Sequence, residues 1–451
     1  MDQLTTSSPA CEPGASAAGL KATIDCPHLY ALPARLGAGA ELMPQAGWSD
    51  SSTGGENWLA LGAIDELVVP AGAGFEAVRE MIERARERLR LFGGLPHGGL
   101  ARFVGGLAFD PRGPAHPDDW PAGIAARFVL PRVLVREKEG RAEVSILGTP
   151  EAEARELLGR IEAAAADPAP ADHPLKLRNI EQPAARDRWT SAVKEVLASI
   201  AKGSVRKVVL SRDVVMEGDE DLDPWAMLRL IRARDPRGLR FCLRFDDGAA
   251  FVGATPERLL VQRGNEVACD CLAGTIMRGA TAGEAEANAA KLLASEKDAR
   301  EHRIVLEEIL EAIAPHARSL DSPESPSVLM LAEVLHLWSP VRATLRGGAD
   351  LAAIVSRLQP TPAVGGSPRL AAMDILRILE GRPRGWYAGL VGTIGPDHAD
   401  FAVAIRSGLV KGRRLTAFGG AGIVRGSDPQ AEWDETARKA ASFIHLFAES
   451  A

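Results

Sequence analysis

Extended runs arrive in clusters along this chain instead of alternating with helices. RKVVLSRDVVM (206–216), LRFCLRF (239–245), GAAFVGATPERLLVQR (248–263) and EVACDCLAG (266–274) are all rich in β-branched and aromatic residues, and two more such runs, ADFAVAIRSGLV (399–410) and RRLTAFGGAGIV (413–424), come late. Clustered strands favour an α/β (α+β) fold of mostly antiparallel sheets flanked by helices over a regular βαβ repeat. Helical spacing is clear at 76–92, at 188–203 (Trp189, Val193, Val196, Leu197 and Ile200, stopping at Gly203) and over a long helix from about Gly283 to Ala314.

The organisation reads as a disordered small-residue tail over 1–20, an N-terminal part over 21–162, a linker over 163–175 at the Ala/Pro-rich EAAAADPAPADHP (162–174), and a catalytic region over 176–451. At 451 residues, 46% hydrophobic and 25% charged, the composition is that of a globular protein. A net charge of -7 without a long basic run speaks against nucleic acid or an anionic membrane as partner. No apolar stretch approaches the ~18 residues of a membrane span. The acidic, Lys- and Arg-free first twenty residues do not read as a signal peptide. Five cysteines make no zinc spacing, and Cys269 and Cys271 fall on one face of a strand, as expected of a soluble protein of the reducing cytoplasm.

Chemistry concentrates at SDPQAEWDETARKAA (427–441). Asp428 can cap a helix and Pro429 suits its first position, which places Glu432, Glu435 and Lys439 on one face. Just upstream, FGGAGIVRG resembles a dinucleotide fingerprint, but the spacing is wrong and no second half-unit can follow. Backbone left open for an anionic ligand is the better reading. Glu301 borders the apolar stripe of the long helix. It either pairs with Lys297, one turn earlier, or joins Glu435 in an oxygen-rich site of the kind Mg²⁺ accepts. Arg406, on a strand face of small residues with Ala402 and Ala404, either points to water or takes a carboxylate. Lys207 either snorkels or, desolvated near a metal, acts as a base. Glu257 ends a loop in GATPERLL, where catalytic groups are often presented.

KVVLSR, FVGATPERLL, LAGT, LLASEKDAREH, LHL, QPTPAVGGSP, RGWYAGLVG, FAVAIRSG and FGGAGIVRGSDPQAEWDETARK occur in one order. This series resembles the chorismate-binding family, which includes isochorismate, salicylate, anthranilate and aminodeoxychorismate synthases; the likeness is dense from 186 to 445 and faint before 160. The resemblance implies a single large layered unit that the N-terminal part completes, with one Mg²⁺ held by Glu301 and Glu435 and supported by Glu432 through water. It further implies that Lys439 lies beside the substrate, that Arg406 and Tyr387 take the enolpyruvyl carboxylate, that Gly274, Gly420 and Gly422 make backbone contacts, and that His336 stands near the ring. Thr275 and Ala363, in the LAGT and PTPAV runs, complete the implied substrate site.

Among family members, PTPAVGGSP and a Lys at the start of KVVLSR set the chain apart from the ammonia-using enzymes, and PTPAVGGSP favours the isochorismate-forming enzymes over salicylate synthases, which resemble it in that Lys. The implied reaction is water addition at C2 of chorismate with loss of the C4 hydroxyl, Lys207 as general base and Glu257 as general acid. The alternatives are another chorismate-utilising enzyme, chiefly a salicylate synthase, and a non-enzymatic chorismate-site binder. The implied protein is a monomer without a glutaminase subunit and without tryptophan feedback, serving menaquinone, siderophore or salicylate biosynthesis according to its neighbouring enzymes. Two departures from the family pattern stand out: Gln359 where His is expected, and Ile276-Met277 within GTIMRG.

Overall fold

A computed structural model describes residues 20–449 except 38, 51–54, 93–100, 114–119, 121–122, 139–140, 169, 181, 183, 236–237, 331–333 and 348–349. The expected tail thus lies outside the described residues, apart from Leu20, which opens a strand.

Two sheets make up the body, one of twelve strands and one of ten among the described residues, with neighbouring strands antiparallel. Both draw strands from the N-terminal and the C-terminal part of the chain. In the larger sheet Gln45–Asp50 lies beside Leu239–Arg244, and in the smaller Phe103–Leu107 lies beside Leu390–Ile394. Phe241 and Phe251 of the larger sheet share one core with Phe103, Phe128 and Phe401 of the smaller. Helices Gly74–Phe92 and Glu296–Ile313 cover the smaller sheet, while Pro224–Arg234 and Pro429–Ile444 lie on the larger. Ile304, Val305, Ile309 and Ile313 of Glu296–Ile313 are buried. At about 1.5–3 kcal/mol per fully buried aliphatic side chain, that stripe anchors the helix firmly.

Three local readings change. The alanine-rich start of the expected linker is helical through Ala166, with Ala164 and Ala165 buried; alanine's helix propensity and the spacing of Leu157 and Ile161 carry the helix onward, and only the proline-containing stretch from Asp167 leaves it. The long helix expected from Gly283 to Ala314 is two, Ala282–Ala294 and Glu296–Ile313. Ser295 is extended between them, and its hydroxyl accepts from the Asp298 amide at 3.2 Å, so a cap interrupts the helical path. The run ADFAVAIRSGLV is likewise two strands, His398–Val403 in the smaller sheet and Ser407–Lys411 in the larger. Arg406 therefore does not alternate along one strand with Ala402 and Ala404. It sits with φ 48° in the turn by which the chain changes sheets.

Candidate active site

The site forms where the end of the larger sheet meets the smaller one beneath helices Glu296–Ile313 and Pro429–Ile444. Lys207 opens strand Lys207–Gly218 and is completely buried. Two residues on, Val209 lies opposite Gly422, and Ser211 opposite Gly420. A Cβ on Gly422 would stand 2.9 Å from Glu301 Oε1 and 3.0 Å from Lys207 Cε, and one on Gly420 would stand 3.1 Å from the Tyr387 hydroxyl. These two glycines thus make room for three side chains of the expected site. Gly419 serves packing: its Cβ would meet the Thr436 carbonyl oxygen at 2.3 Å, so its absence lets the last helix lie on the strand. That helix begins as its sequence predicts, with Asp428 accepting from the amides of Gln430 (3.0 Å) and Ala431 (2.8 Å) and Pro429 in the first turn.

A cavity of about 200 Å³ is lined by Glu257, Gly274, Thr275, Glu301, His336, Ala363, Tyr387, Arg406, Gly420, Gly422, Glu435 and Lys439. The remaining expected site residues, Lys207 and Glu432, do not line it: Lys207 lies behind the wall made by Glu301 and Gly422, and Glu432 is turned aside.

Burial raises the Glu257 carboxyl to about 7, against the opposing pull of Lys207 and a 3.5 Å bond from the Thr361 hydroxyl. It can therefore carry a proton at neutral pH. Burial, with the charges of Arg406 and Lys439, lowers the His336 imidazole to about 3, so the ring is neutral; its Nδ1 shares a 2.9 Å hydrogen bond with the Thr275 hydroxyl. Burial lifts the Tyr387 phenol to about 12, which keeps it a neutral hydroxyl. The ring stacks on Phe418 at 4.8 Å, and Arg406 is steadied by a 2.8 Å bond to the Ser442 hydroxyl.

Each of the three carboxylates proposed for a metal is met by its own lysine. Lys207 Nζ lies 2.7 Å from Glu301, Lys297 Nζ 3.1 Å from Glu432, and Lys439 Nζ 2.7 Å from Glu435. The pairing of Glu301 with Lys297 read from the sequence is thus replaced, because Lys297 reaches across to the last helix. Burial raises Glu432, while at Glu435 the cost of burial is outweighed by Lys439, and its carboxyl lies below the usual range. Among the described residues no three His, Cys, Asp or Glu groups converge as a ready metal cage. The chemistry of the donors nevertheless fits a hard, water-retaining cation: Glu301 and Glu435 are carboxylates on the cavity wall, and the bare Gly422 leaves space beside Glu301.

Two supporting residues beside the cavity went unread in the sequence, and the departures from the family pattern find their places. Thr361 contacts Glu257 from within the PTPAV run. His302 joins its helix to the sheet through the Ser339 hydroxyl (2.9 Å) and the Ala273 carbonyl (3.2 Å), one residue from Glu301. Gln359 is buried and donates to the Ala388 carbonyl at 3.3 Å, so it props a cavity wall from behind. Met277 is largely exposed, and Ile276 packs on a small cluster of Leu292, Leu335 and Leu337.

Known proteins resemble this chain along most of its length. The salicylate biosynthesis isochorismate synthase of Pseudomonas aeruginosa is 35% identical over 359 residues, 75% of this chain and 72% of that one. The isochorismate synthase MenF of Escherichia coli is 29% identical over 416 residues, 91% and 89% of the two chains. The solved structure of that menaquinone-specific enzyme superposes with a TM-score of 0.78 at 28% identity, covering 96% of this chain and 95% of its own. Anthranilate synthase component I of Streptococcus pneumoniae shares the fold, with a TM-score of 0.70 at 22% identity over 88% and 92% of the chains. The family profile for chorismate binding enzymes matches residues 24–448, and the chain belongs to that family.

Proposed function

We propose that this chain is an isochorismate synthase: water adds at C2 of chorismate, the C4 hydroxyl departs and the ring double bonds shift. The observation that carries the reading is a cavity holding a carboxyl that burial raises to about 7, Glu257, with a fully buried lysine, Lys207, within electrostatic reach. A carboxylic acid and an amine held close together suit opposite proton transfers. Lys207 takes a proton from the incoming water, and Glu257 gives one to the leaving hydroxyl. Each positioned transfer is worth roughly 10²–10⁴-fold. Arg406 and Tyr387 orient the enolpyruvyl carboxylate, and the backbone at Gly274 and Gly420 lets the substrate lie close. Glu301 and Glu435 would hold magnesium, which when bound would supply positive charge for the ring carboxylate. The relatives named for isochorismate synthesis support the assignment.

The test is product identification after incubating the protein with chorismate and Mg²⁺, with and without ammonium. Isochorismate without pyruvate is expected, and no glutaminase subunit is needed. Salicylate with pyruvate, or anthranilate when ammonium is present, would overturn the assignment.

The pH profile provides a second check. Glu257 is functional when protonated, and burial raises it to about 7. The profile of kcat/KM should therefore fall on its alkaline side, with an apparent limb near neutrality reporting the coupled groups of the cavity. A rate that keeps rising through pH 9 would remove Glu257 as the acid.

A further inference from the structure

Strand Lys207–Gly218 is flanked on its outer edge by Gly366–Ser367, paired only with Lys207 and Val208, and by Leu177–Ile180, paired only from Val215 to Gly218. Among the described residues no strand covers the edge between them, and this is the stretch that carries Val209 into the cavity wall. The Val209 amide still donates to the Gly365 carbonyl at 2.9 Å, and beyond it side chains take over. Glu380 Oε1 accepts from the Ser211 amide at 2.8 Å and from the Ser211 hydroxyl at 3.0 Å. Arg384 donates to Glu380 through two nitrogens, at 2.8 and 2.6 Å, and to the carbonyl oxygens of Val364 at 2.8 Å and Val209. Its guanidinium carbon lies 4.1 Å from the centroid of the Phe109 ring.

We propose that Arg384, held by Glu380, is a positioning residue for the reaction assigned above, on which this inference rests: it fixes the strand that presents Lys207 against the segments that present Ala363 and Tyr387. Val209 is two residues from Lys207, Val364 follows Ala363, and Tyr387 is three residues beyond Arg384. One planar side chain thus ties three walls of the cavity together. Glu380 cancels its charge, so the group serves as a brace and not as a second anchor for an anionic substrate. A lysine has no planar fork with which to make these bonds at once. Positioning on this scale matters, because a displacement of about 1 Å can cost about 10²-fold in rate.

The experiment compares Arg384→Lys and Glu380→Gln with the wild type in the full-length chain, recording kcat, KM, direct chorismate binding and the unfolding midpoint. For Arg384→Lys, kcat is expected to fall about 10²-fold while KM and chorismate affinity stay within about threefold, among molecules that remain folded. Glu380→Gln, which keeps the shape of the brace, is expected to lose about tenfold by the same split. Should Arg384→Lys fail to fold, Glu380→Gln decides alone. A wild-type kcat per folded molecule in the lysine variant, or parallel losses of kcat and binding, would overturn the proposal. A wild type that makes no isochorismate would instead overturn the activity itself, and is seen before any variant is compared.

Discussion

Lys207→Ala is expected to lower isochorismate formation by ~10²–10⁴-fold while chorismate continues to bind. Lys207 is completely buried at the head of its strand, and its ammonium lies 2.7 Å from Glu301. To take a proton from water, the amine has to give up that bond and be free of its own proton. Removing the side chain removes the acceptor, whereas Arg406, Tyr387 and the open backbone of the cavity stay in place to hold the substrate. The space vacated lies beside Gly422, and Glu301 keeps a partly exposed side chain, so water can solvate the carboxylate that has lost its partner. Chromatographic product analysis, together with equilibrium binding of chorismate, separates loss of chemistry from loss of affinity. Near-normal isochorismate formation by the alanine variant would show that another group is the base. His336 is the next candidate by position. An imidazole that burial lowers to about 3 is a weak base, however, which leaves Lys207 the stronger assignment.

The sequence exposed the chemistry of this chain more fully than its connections. Short-range signals were legible: Asp428 and Pro429 open the last helix where their capping chemistry requires, and Trp189, Val193 and Val196 bury the stripe their spacing implies. The cavity residues could be named because family motifs mark them, although the elements that carry them lie far apart in sequence. What local pattern could not supply is the point where the chain changes partners. FAVAIRSG alternates well enough to read as one strand, yet it switches sheets at a left-handed Arg406. SEKDAREH reads as continuous helix, yet Ser295 competes for the backbone and restarts it. Partner choice was equally hidden. Lys297 and Glu301 share a helix and lie one turn apart, but each finds a better partner on another element, Glu432 and Lys207. The quoted run RGWYAGLVG begins with Arg384, whose four bonds reach Glu380, Val364 and Val209 and are visible only once the fold brings those groups together.

Glu435→Gln is expected to abolish turnover without unfolding the protein, and removal of divalent cations with EDTA should do the same to the wild type. Glutamine matches glutamate in size, so the helix Pro429–Ile444 keeps its packing, and Lys439 retains its 3.0 Å bond to the Gly420 carbonyl when its carboxylate partner is lost. What disappears is one of the two cavity-wall carboxylates assigned to the metal. Mg²⁺ is a hard cation that takes few protein ligands and prefers carboxylates, so a neutral amide replaces the lost donor poorly. Calorimetric titration with Mg²⁺ should show weaker binding, and the unfolding midpoint should stay close to that of the wild type. Glu432→Gln provides the contrast. Glu432 faces Lys297 at 3.1 Å and does not line the cavity, so its loss should weaken metal binding or activity by roughly 10–100-fold without abolishing either. Full turnover in EDTA, or a Glu435→Gln enzyme as active as the wild type, would rule out magnesium at this site. Equal losses for the two variants would place Glu432 among the direct ligands and require its side chain to leave Lys297 when the metal binds.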